Sequence, residues 1–287
     1  MARTGIIGGS GLYAIEGMTY LDEIRIETPF GQPSDAFSIG EFMGHEVVFL
    51  PRHGRGHTLL PTEVNYRANI WGFKNLNVSS ILSISAVGSL RSDYRPTDVV
   101  IIDNFFDRTN QARSNTFFGQ GIVAHIAFAH PLCERLRRHL ITAGRQTEQT
   151  IHDRGIYLNM EGPQFSTLAE SQTFRQWGMD VIGMTQMSEA RLAREAEMCY
   201  ATMALVTDFD CWHEAETGGT VSVEMIMNYM SQNTITAKEI IRRTLPLLTN
   251  EDDCSCHHAL AGAIITDRSS WPENTLTNLK PILKKYI

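Results

Sequence analysis

The sequence predicts an α/β protein folded as one domain, on three observations. Short apolar runs rich in Ile and Val recur along the chain. Helix-compatible stretches lie between them, and no Ser/Gly- or Pro-rich linker, internal repeat or low-complexity tract divides the 287 residues. Strands that are apolar nearly throughout are covered on both faces, and their alternation with helices requires a sheet with layers on both sides. The length is enough to bury a sizeable core.

Taken in order, the runs are Gly5 to Ile7, Glu46 to Leu50, Ser80 to Ser85, Val99 to Asp103, Val181 to Met184 and Tyr200 to Val206. Tyr66 to Asn75 reads as a helix, and so does Leu132 to Arg145, with Pro131 suited to its first turn. Thr167 and Glu170 have capping-box spacing and start a helix running toward Trp177. Glu189 to Met198 places Leu192, Ala193 and Ala196 on one face. Ser222 is positioned to cap a last long helix striped with Met225, Ile226, Tyr229 and Met230. Beyond Thr249 the character changes to Glu251-Asp252-Asp253 and then Cys254-Ser255-Cys256. The expectation is a domain over residues 1–249 with an extension, 250–287, packed on it.

Composition narrows the function classes. Lys plus Arg number 25 against 32 Asp plus Glu, a formal charge of −7. That balance disfavours nucleic acid and anionic membranes as partners, so any anion must be held in a local pocket. Five cysteines, an odd number, and a start without signal-peptide character fit a cytoplasmic protein.

Chemistry-bearing motifs follow the apolar runs. Gly8-Gly9-Ser10-Gly11 can bring main-chain N–H groups and a hydroxyl to an anion, the favoured reading, or form a plain tight turn. It lacks the third glycine of a dinucleotide fingerprint, since Ala14 stands at that offset. Arg52-His53-Gly54-Arg55-Gly56-His57 offers guanidinium groups that match phosphate, or else a solvated loop. Metal binding by His53 and His57 would need a helix, which the glycines oppose. Ser85-Ala86-Val87-Gly88-Ser89 could complete an anion site or serve as a plain turn. In Glu161-Gly162-Pro163-Gln164-Phe165-Ser166, Phe165 fits stacking on a planar ligand or a place in the core equally well. Thr207-Asp208-Phe209-Asp210 sets two carboxylates on one side of an extended segment, suited to one acid and one hydrogen-bond acceptor, or else to a surface loop or a metal-binding loop. Ligands of open α/β sheets bind beyond the carboxyl ends of strands, where most of these motifs fall.

Those motifs, with Thr28-Pro29-Phe30-Gly31-Gln32-Pro33-Ser34-Asp35, Asn65-Tyr66-Arg67-Ala68-Asn69-Ile70-Trp71 and Cys211-Trp212, together resemble the 5′-methylthioadenosine phosphorylases. That family belongs to the trimeric purine nucleoside phosphorylases, and the similarity runs from about Gly5 to Leu248. The resemblance implies a three-layer α/β/α nucleoside phosphorylase fold with a mixed central sheet. It also implies attack of phosphate on the ribose anomeric carbon, releasing adenine and 5-methylthioribose 1-phosphate in purine and methionine salvage. Inorganic phosphate is then a co-substrate, and no cofactor or metal is expected.

By the same resemblance, phosphate lies among Ser10, Arg52, His53, Ser85, Ala86 and Thr185. The nucleoside lies against Phe165, Ile182 and Met184, and its methylthio end against Val223, Ile226 and Met227, with His125 reaching in from an adjacent subunit of a homotrimer or dimer of trimers. Asp208 would protonate or hydrogen-bond purine N7, Asp210 would read the 6-amino group and Ser166 would support the adenine edge. Gly218 and Gly219 look like a short insertion relative to the family. The tail resembles an extension with a Cys-x-Cys in some prokaryotic members. Its cysteines are read as free thiols, as a strained Cys254–Cys256 disulfide forming a redox-sensitive clip, or as metal ligands with His257 and His258.

Overall fold

A computed structural model describes residues 3–12, 15–110, 113–213, 223–248 and 254–287, without the side chains of Ser10 and of residues 223–226. All six apolar runs are strands or contain one. In chain order they are β1 (Arg3–Gly8), β4 (His45–Pro51), β5 (Val78–Ser89), β6 (Val99–Ile101), β10 (Val181–Gly183) and β11 (Cys199–Phe209). Five further strands complete the sheet: β2 (Thr19–Ile24), β3 (Phe37–Phe42), β7 (Asn104–Arg108), β8 (Ile151–His152) and β9 (Ile156–Met160). The order β2-β3-β4-β1-β5-β10-β9-β7 is extended by β11, which pairs with β5 and β6, and by β8 beside β6. Parallel pairs dominate the centre, while β2–β3, β3–β4, β5–β10 and β6–β11 are antiparallel, so the sheet is mixed.

Alternation along the central strands builds the layers. Ile7, Val48, Leu50, Tyr200, Ala204 and Val206 enter one core. Ile6, Val47, Phe49, Ala201, Met203 and Leu205 enter another on the opposite face. Side chains one residue apart on a strand point to opposite faces, so a run apolar at every position needs cover on both. Helices α1 (Tyr66–Asn75) and α4 (Gln186–Glu195) cover the first face. Helices α2 (Glu134–Gly144) and α5 (Val223–Thr244) cover the second. Helix α3 (Leu168–Gln176) sits over a smaller third cluster with Leu158, Ile182 and Trp212.

Local capping follows the expected chemistry in part. Thr167 and Glu170 form a reciprocal capping box at α3. Pro131 is not in the first turn of α2: the helix begins at Glu134 with Cys133 as its N-cap, and Pro131 precedes it. Helix α4 lies three residues earlier than its apolar spacing indicates, because Thr185 ends β10's excursion and Gln186 opens the helix. The cap assigned to Ser222 lies outside the described residues, as do Gly218, Gly219 and Glu251 to Asp253.

Residues 254–287 pack on the domain. Leu260, Leu279, Ile282 and Leu283 join the first core, and Cys256 joins the second. Two short helices, α6 (Glu273–Asn278) and α7 (Lys280–Leu283), end this segment. Trp71 Nε1 donates to the Asn278 carbonyl at 2.9 Å. The buried Glu197 accepts from the Leu260 N–H and the Tyr286 hydroxyl and pairs with Lys285. No described helix is long and apolar enough to cross a membrane.

Candidate active site

The register of β5 makes the opening in which the motifs meet. One edge of β5 pairs with β11 from Ser80 to Ser89. The other edge pairs with β1 only as far as Ser83, and with β10 only at Gly88 and Ser89. Between Ser83 and Gly88 that edge has no strand partner among the described residues. Ala86, in the middle of the longest strand, is exposed there, whereas Ser85 and Val87 are buried. An unpaired stretch of main chain inside a sheet offers hydrogen-bonding groups to a ligand. Gly9, at the end of β1, faces open space: a Cβ placed on it would meet nothing within 4 Å.

Around this notch stand the anion-binding candidates. Thr185 is the N-cap of the ten-residue α4, is 4% exposed, and makes no side-chain capping bond. The positive end of that helix favours an anion beside it. Ser85 Oγ donates to its neighbour's carbonyl at 3.1 Å and lies 3.3 Å from the Tyr157 hydroxyl. His53 Nδ1 lies 2.8 Å from the Leu59 carbonyl, and the ring stacks on His57 at 4.4 Å. A carbonyl can only accept, so Nδ1 carries the proton. Burial and the adjacent Arg52 push this imidazole down to about 4, leaving Nε2 as an acceptor at neutral pH. The side chain of Ser10 lies outside the described set.

Arg52 is held more tightly than a surface phosphate ligand would be. Its Nε and Nη2 grip Glu189 at 2.5 and 3.1 Å, Nη2 also donates to Ser83 Oγ at 2.7 Å, and Nη1 to the Ile84 carbonyl at 2.9 Å. Both members of the pair are buried. Burial works against the Arg52 charge, but the Glu189 carboxylate more than offsets it, so the guanidinium stays protonated. These bonds use four of the five N–H groups of a guanidinium, leaving one Nη1 hydrogen for a ligand. The side chain is thus the cationic half of a buried, nearly neutral ion pair that holds one Nη1 hydrogen under the notch. Glu189 accepts in turn from the Ser83 hydroxyl, and the single Tyr200 O–H is shared between Glu189 and Gln186 Oε1.

The carboxylate pair closes the other side. A register shift in β11 between Val206 and Asp208 brings Asp208 opposite Gly88. A Cβ added at Gly88 would stand 3.1 Å from Asp208 Oδ2 and 3.6 Å from Asp210 Cβ, so both acids lie over the same glycine. Burial pushes the Asp208 carboxyl up to about 6; the Thr207 hydroxyl, donating at 2.6 Å, opposes the rise and Asp210 adds to it. Burial raises Asp210 as well, with Ser171 and Ser166 pulling it back. Asp210 Oδ2, Ser166 Oγ and Ser171 Oγ are all buried without a partner among the described residues. Leaving such atoms unmade costs about 1–3 kcal/mol each, which marks a place where a polar ligand is expected.

Ile182 is 5% exposed and belongs to the third cluster, with Met184 packed against it. Met184 Sδ would lie 2.5 Å from a Cβ at Gly162, so that loop needs its glycine. Phe165 is 59% exposed, which excludes the core reading and leaves a ring free to cover a ligand. Met227 is 60% exposed on α5, while the side chains of Val223 and Ile226 lie outside the described set. His125 is exposed, and its N–H donates to the Ala263 carbonyl, so it rides on the segment that carries the tail.

A family model described as the phosphorylase superfamily matches residues 3–246. The chain belongs to the phosphorylase superfamily. An S-methyl-5′-thioadenosine phosphorylase of Geobacter sulfurreducens is 53% identical over 283 residues, covering 99% of this chain and 98% of that one. Among solved structures, a methylthioadenosine phosphorylase from an Antarctic soil metagenomic library superposes with a TM-score of 0.92 at 45% identity, over 98% of this chain and 99% of that one. A methylthioadenosine phosphorylase from Schistosoma mansoni in complex with adenine gives a TM-score of 0.83 at 34% identity, over 99% of this chain and 98% of that one.

Several residues of this superfamily member that support the site were not singled out from sequence. Glu189, Ser83, Tyr200 and Gln186 fix Arg52. Arg113 ties the segment after β7 to the loop after β9: its Nε pairs with Glu161 at 2.9 Å and its Nη2 donates to the Glu161 carbonyl. Asn233 of α5 donates to the Val206 carbonyl just before the register shift. The available signal was a charged or polar residue on an otherwise apolar helix face, as in Ser188-Glu189-Ala190.

Proposed function

We propose that the protein catalyses reversible phosphorolysis of S-methyl-5′-thioadenosine to adenine and 5-methylthioribose 1-phosphate. The observation that carries this reading is the Asp208–Asp210 pair over Gly88, with Asp208 pushed up to about 6 by burial. A phosphate oxygen attacks C1′ as the C1′–N9 bond breaks, and the bonding electrons leave with the purine. The leaving base gains negative charge that a proton at N7 relieves. A buried carboxyl held largely by desolvation keeps its proton more readily once substrate excludes water, and so serves as the donor. Asp210 accepts from the 6-amino group; a 6-carbonyl there would set one acceptor against another. Ser166 would pair with the same edge.

On the phosphate side, this reading uses the main chain at Ile84 to Val87, the α4 N-terminus, the remaining Nη1 hydrogen of Arg52 and the acceptor Nε2 of neutral His53. Donors hold the phosphate oxygens, and His53 takes a hydrogen bond from the protonated oxygen. Phe165 covers the purine, Ile182 and Met184 line the ribose, and Met227 supplies an apolar end for the methylthio group. His125 from a neighbouring copy completes that end, so the working form is a trimer or a dimer of trimers.

The test is release of free base from methylthioadenosine, methylthioinosine, adenosine and inosine, each with and without phosphate. Phosphate-dependent release from the adenine compounds is expected. Turnover of the inosine compounds alone would sink the adenine assignment.

A further inference from the structure

At the opposite end of β11 from the carboxylates, four cysteines from three separate parts of the chain converge. Cys199 opens β11, Cys133 is the N-cap of α2, and Cys254 and Cys256 come from the segment that begins the tail. All four sulfurs lie within 4.8 Å of one another. None is in a disulfide, and the Cys133–Cys254 sulfur separation is 3.7 Å. The readings based on the tail alone, a Cys254–Cys256 bridge or a site shared with His257 and His258, are therefore replaced. The tail pair meets two domain cysteines, and His257 instead approaches Cys199 Sγ through Nε2 at 3.6 Å.

We propose that Cys133, Cys199, Cys254 and Cys256 form a tetrathiolate site for a zinc-class divalent metal ion, which clamps the tail to α2 and β11. Four thiolates around Zn2+ at about 2.3 Å form a tetrahedron whose edges are about 3.8 Å. One sulfur pair already has that spacing, and the widest possible pair needs to close by about 1 Å. Closed four-sulfur sites are structural and select Zn2+ among common ions through soft ligands and tetrahedral geometry. Binding replaces four S–H bonds by four S–metal bonds, releases four protons and leaves a net charge of −2.

The surroundings suit that charge. Arg135 Nη2 lies 3.7 Å from Cys199 Sγ, giving a ligand sulfur a cationic neighbour outside the four. The N-terminal end of α2 is directed at Cys133, where its dipole favours negative charge. Cys133, Cys199 and Cys256 are at most 5% exposed, while Cys254 is half-buried. A cavity of about 730 Å³ reaches Cys133, Cys254 and Cys256 and is also lined by Arg135, Arg138 and Arg194, which gives the ion a route in.

The experiment is elemental analysis of the full-length protein, purified with reductant and without chelator, followed by Co2+ titration of the metal-stripped, reduced form. Roughly one zinc per chain is expected, and the cobalt form should show thiolate charge-transfer and tetrahedral d–d bands that saturate at roughly one equivalent. Cys254→Ser and Cys256→Ser should each reduce bound zinc at least about tenfold at equal free zinc, while phosphorolysis stays within about twofold. Retained activity shows that these variants fold. Fully reduced protein that takes up neither ion overturns the proposal. So does freshly isolated protein with the four cysteines in two disulfides, or undiminished zinc in both variants.

Discussion

The two ends of β11 solve opposite problems with the same strand. Cys199 begins it and Asp208 lies nine residues on, about 30 Å away at strand rise. At the Cys199 end, groups from α2, β11 and the tail converge, and thiols meet one another. At the Asp208 end polar groups are held apart: two carboxyls over one glycine, two serine hydroxyls without partners, and an exposed alanine in the middle of the longest strand. One end is closed by its own side chains, whereas the other carries unmade interactions that a ligand can complete. Binding energy at such a site is available for the reaction because the folded chain has not consumed it.

The largest effect expected from breaking this contrast is on chemistry. Asp208→Asn should lower kcat for methylthioadenosine on the order of 1,000-fold, since an amide cannot deliver the proton to N7. Steady-state assays check this, and near-normal turnover in a folded variant would end the general-acid role. The next effect concerns the support beneath the notch. Glu189→Ala strands the buried Arg52 guanidinium and should cost about 3–5 kcal/mol of stability, read from denaturant midpoints. It should also raise the KM for phosphate more than that for the nucleoside, and equal changes in both would refute the electrostatic role given to the pair.

At the opposite pole the expectation reverses. Leu283→Ala removes a fully buried tail side chain and should cost about 2–4 kcal/mol, with kcat within about twofold of the parent. A matched loss of kcat would mean that the tail shapes the catalytic end. The smallest effect is a gain. Asp208 binds its proton up to about pH 6 when folded, against 3.8 ordinarily, so stability falls as pH rises through that window and stays low above it. Asparagine has no such charge to bury, so Asp208→Asn should be more stable than the parent at pH 7.5 by roughly 2–3 kcal/mol, with the gap closing near pH 4. Melting curves at the two pH values decide it, and a gap that widens on acidification would contradict the assigned cause.

What could be read in advance divides along physical lines. The central strands were legible because burial on both faces imposes an apolar run, as in Val47 to Leu50. Asp208 and Asp210 were marked by their two-residue spacing after such a run, and their roles came from the family resemblance. The hairpin of β2 and β3 was not read: β2 is mostly exposed, so no apolar pattern marks it. Glu189 was hidden by its helix, where only the fold shows that its neighbours are buried. The cysteine cluster was hidden by distance, since Cys133 and Cys254 are 121 positions apart and nothing local connects them. The tail's helices are short, and their anchors, Trp71 and Glu197, belong to other parts of the chain.

The gap on the edge of β5 has a consequence for mutational scanning. Where β1 stops at Ser83 and β10 begins at Gly88, the unpaired groups belong to the main chain, and no side-chain replacement deletes them. If phosphate binds there as proposed, alanine scanning around Ile84 to Val87 would miss whatever this stretch contributes to affinity. On that proposal, the contribution of this stretch is set by strand lengths and register. Erasing it would take a rebuilt backbone, such as an insertion that extends β1 across the notch.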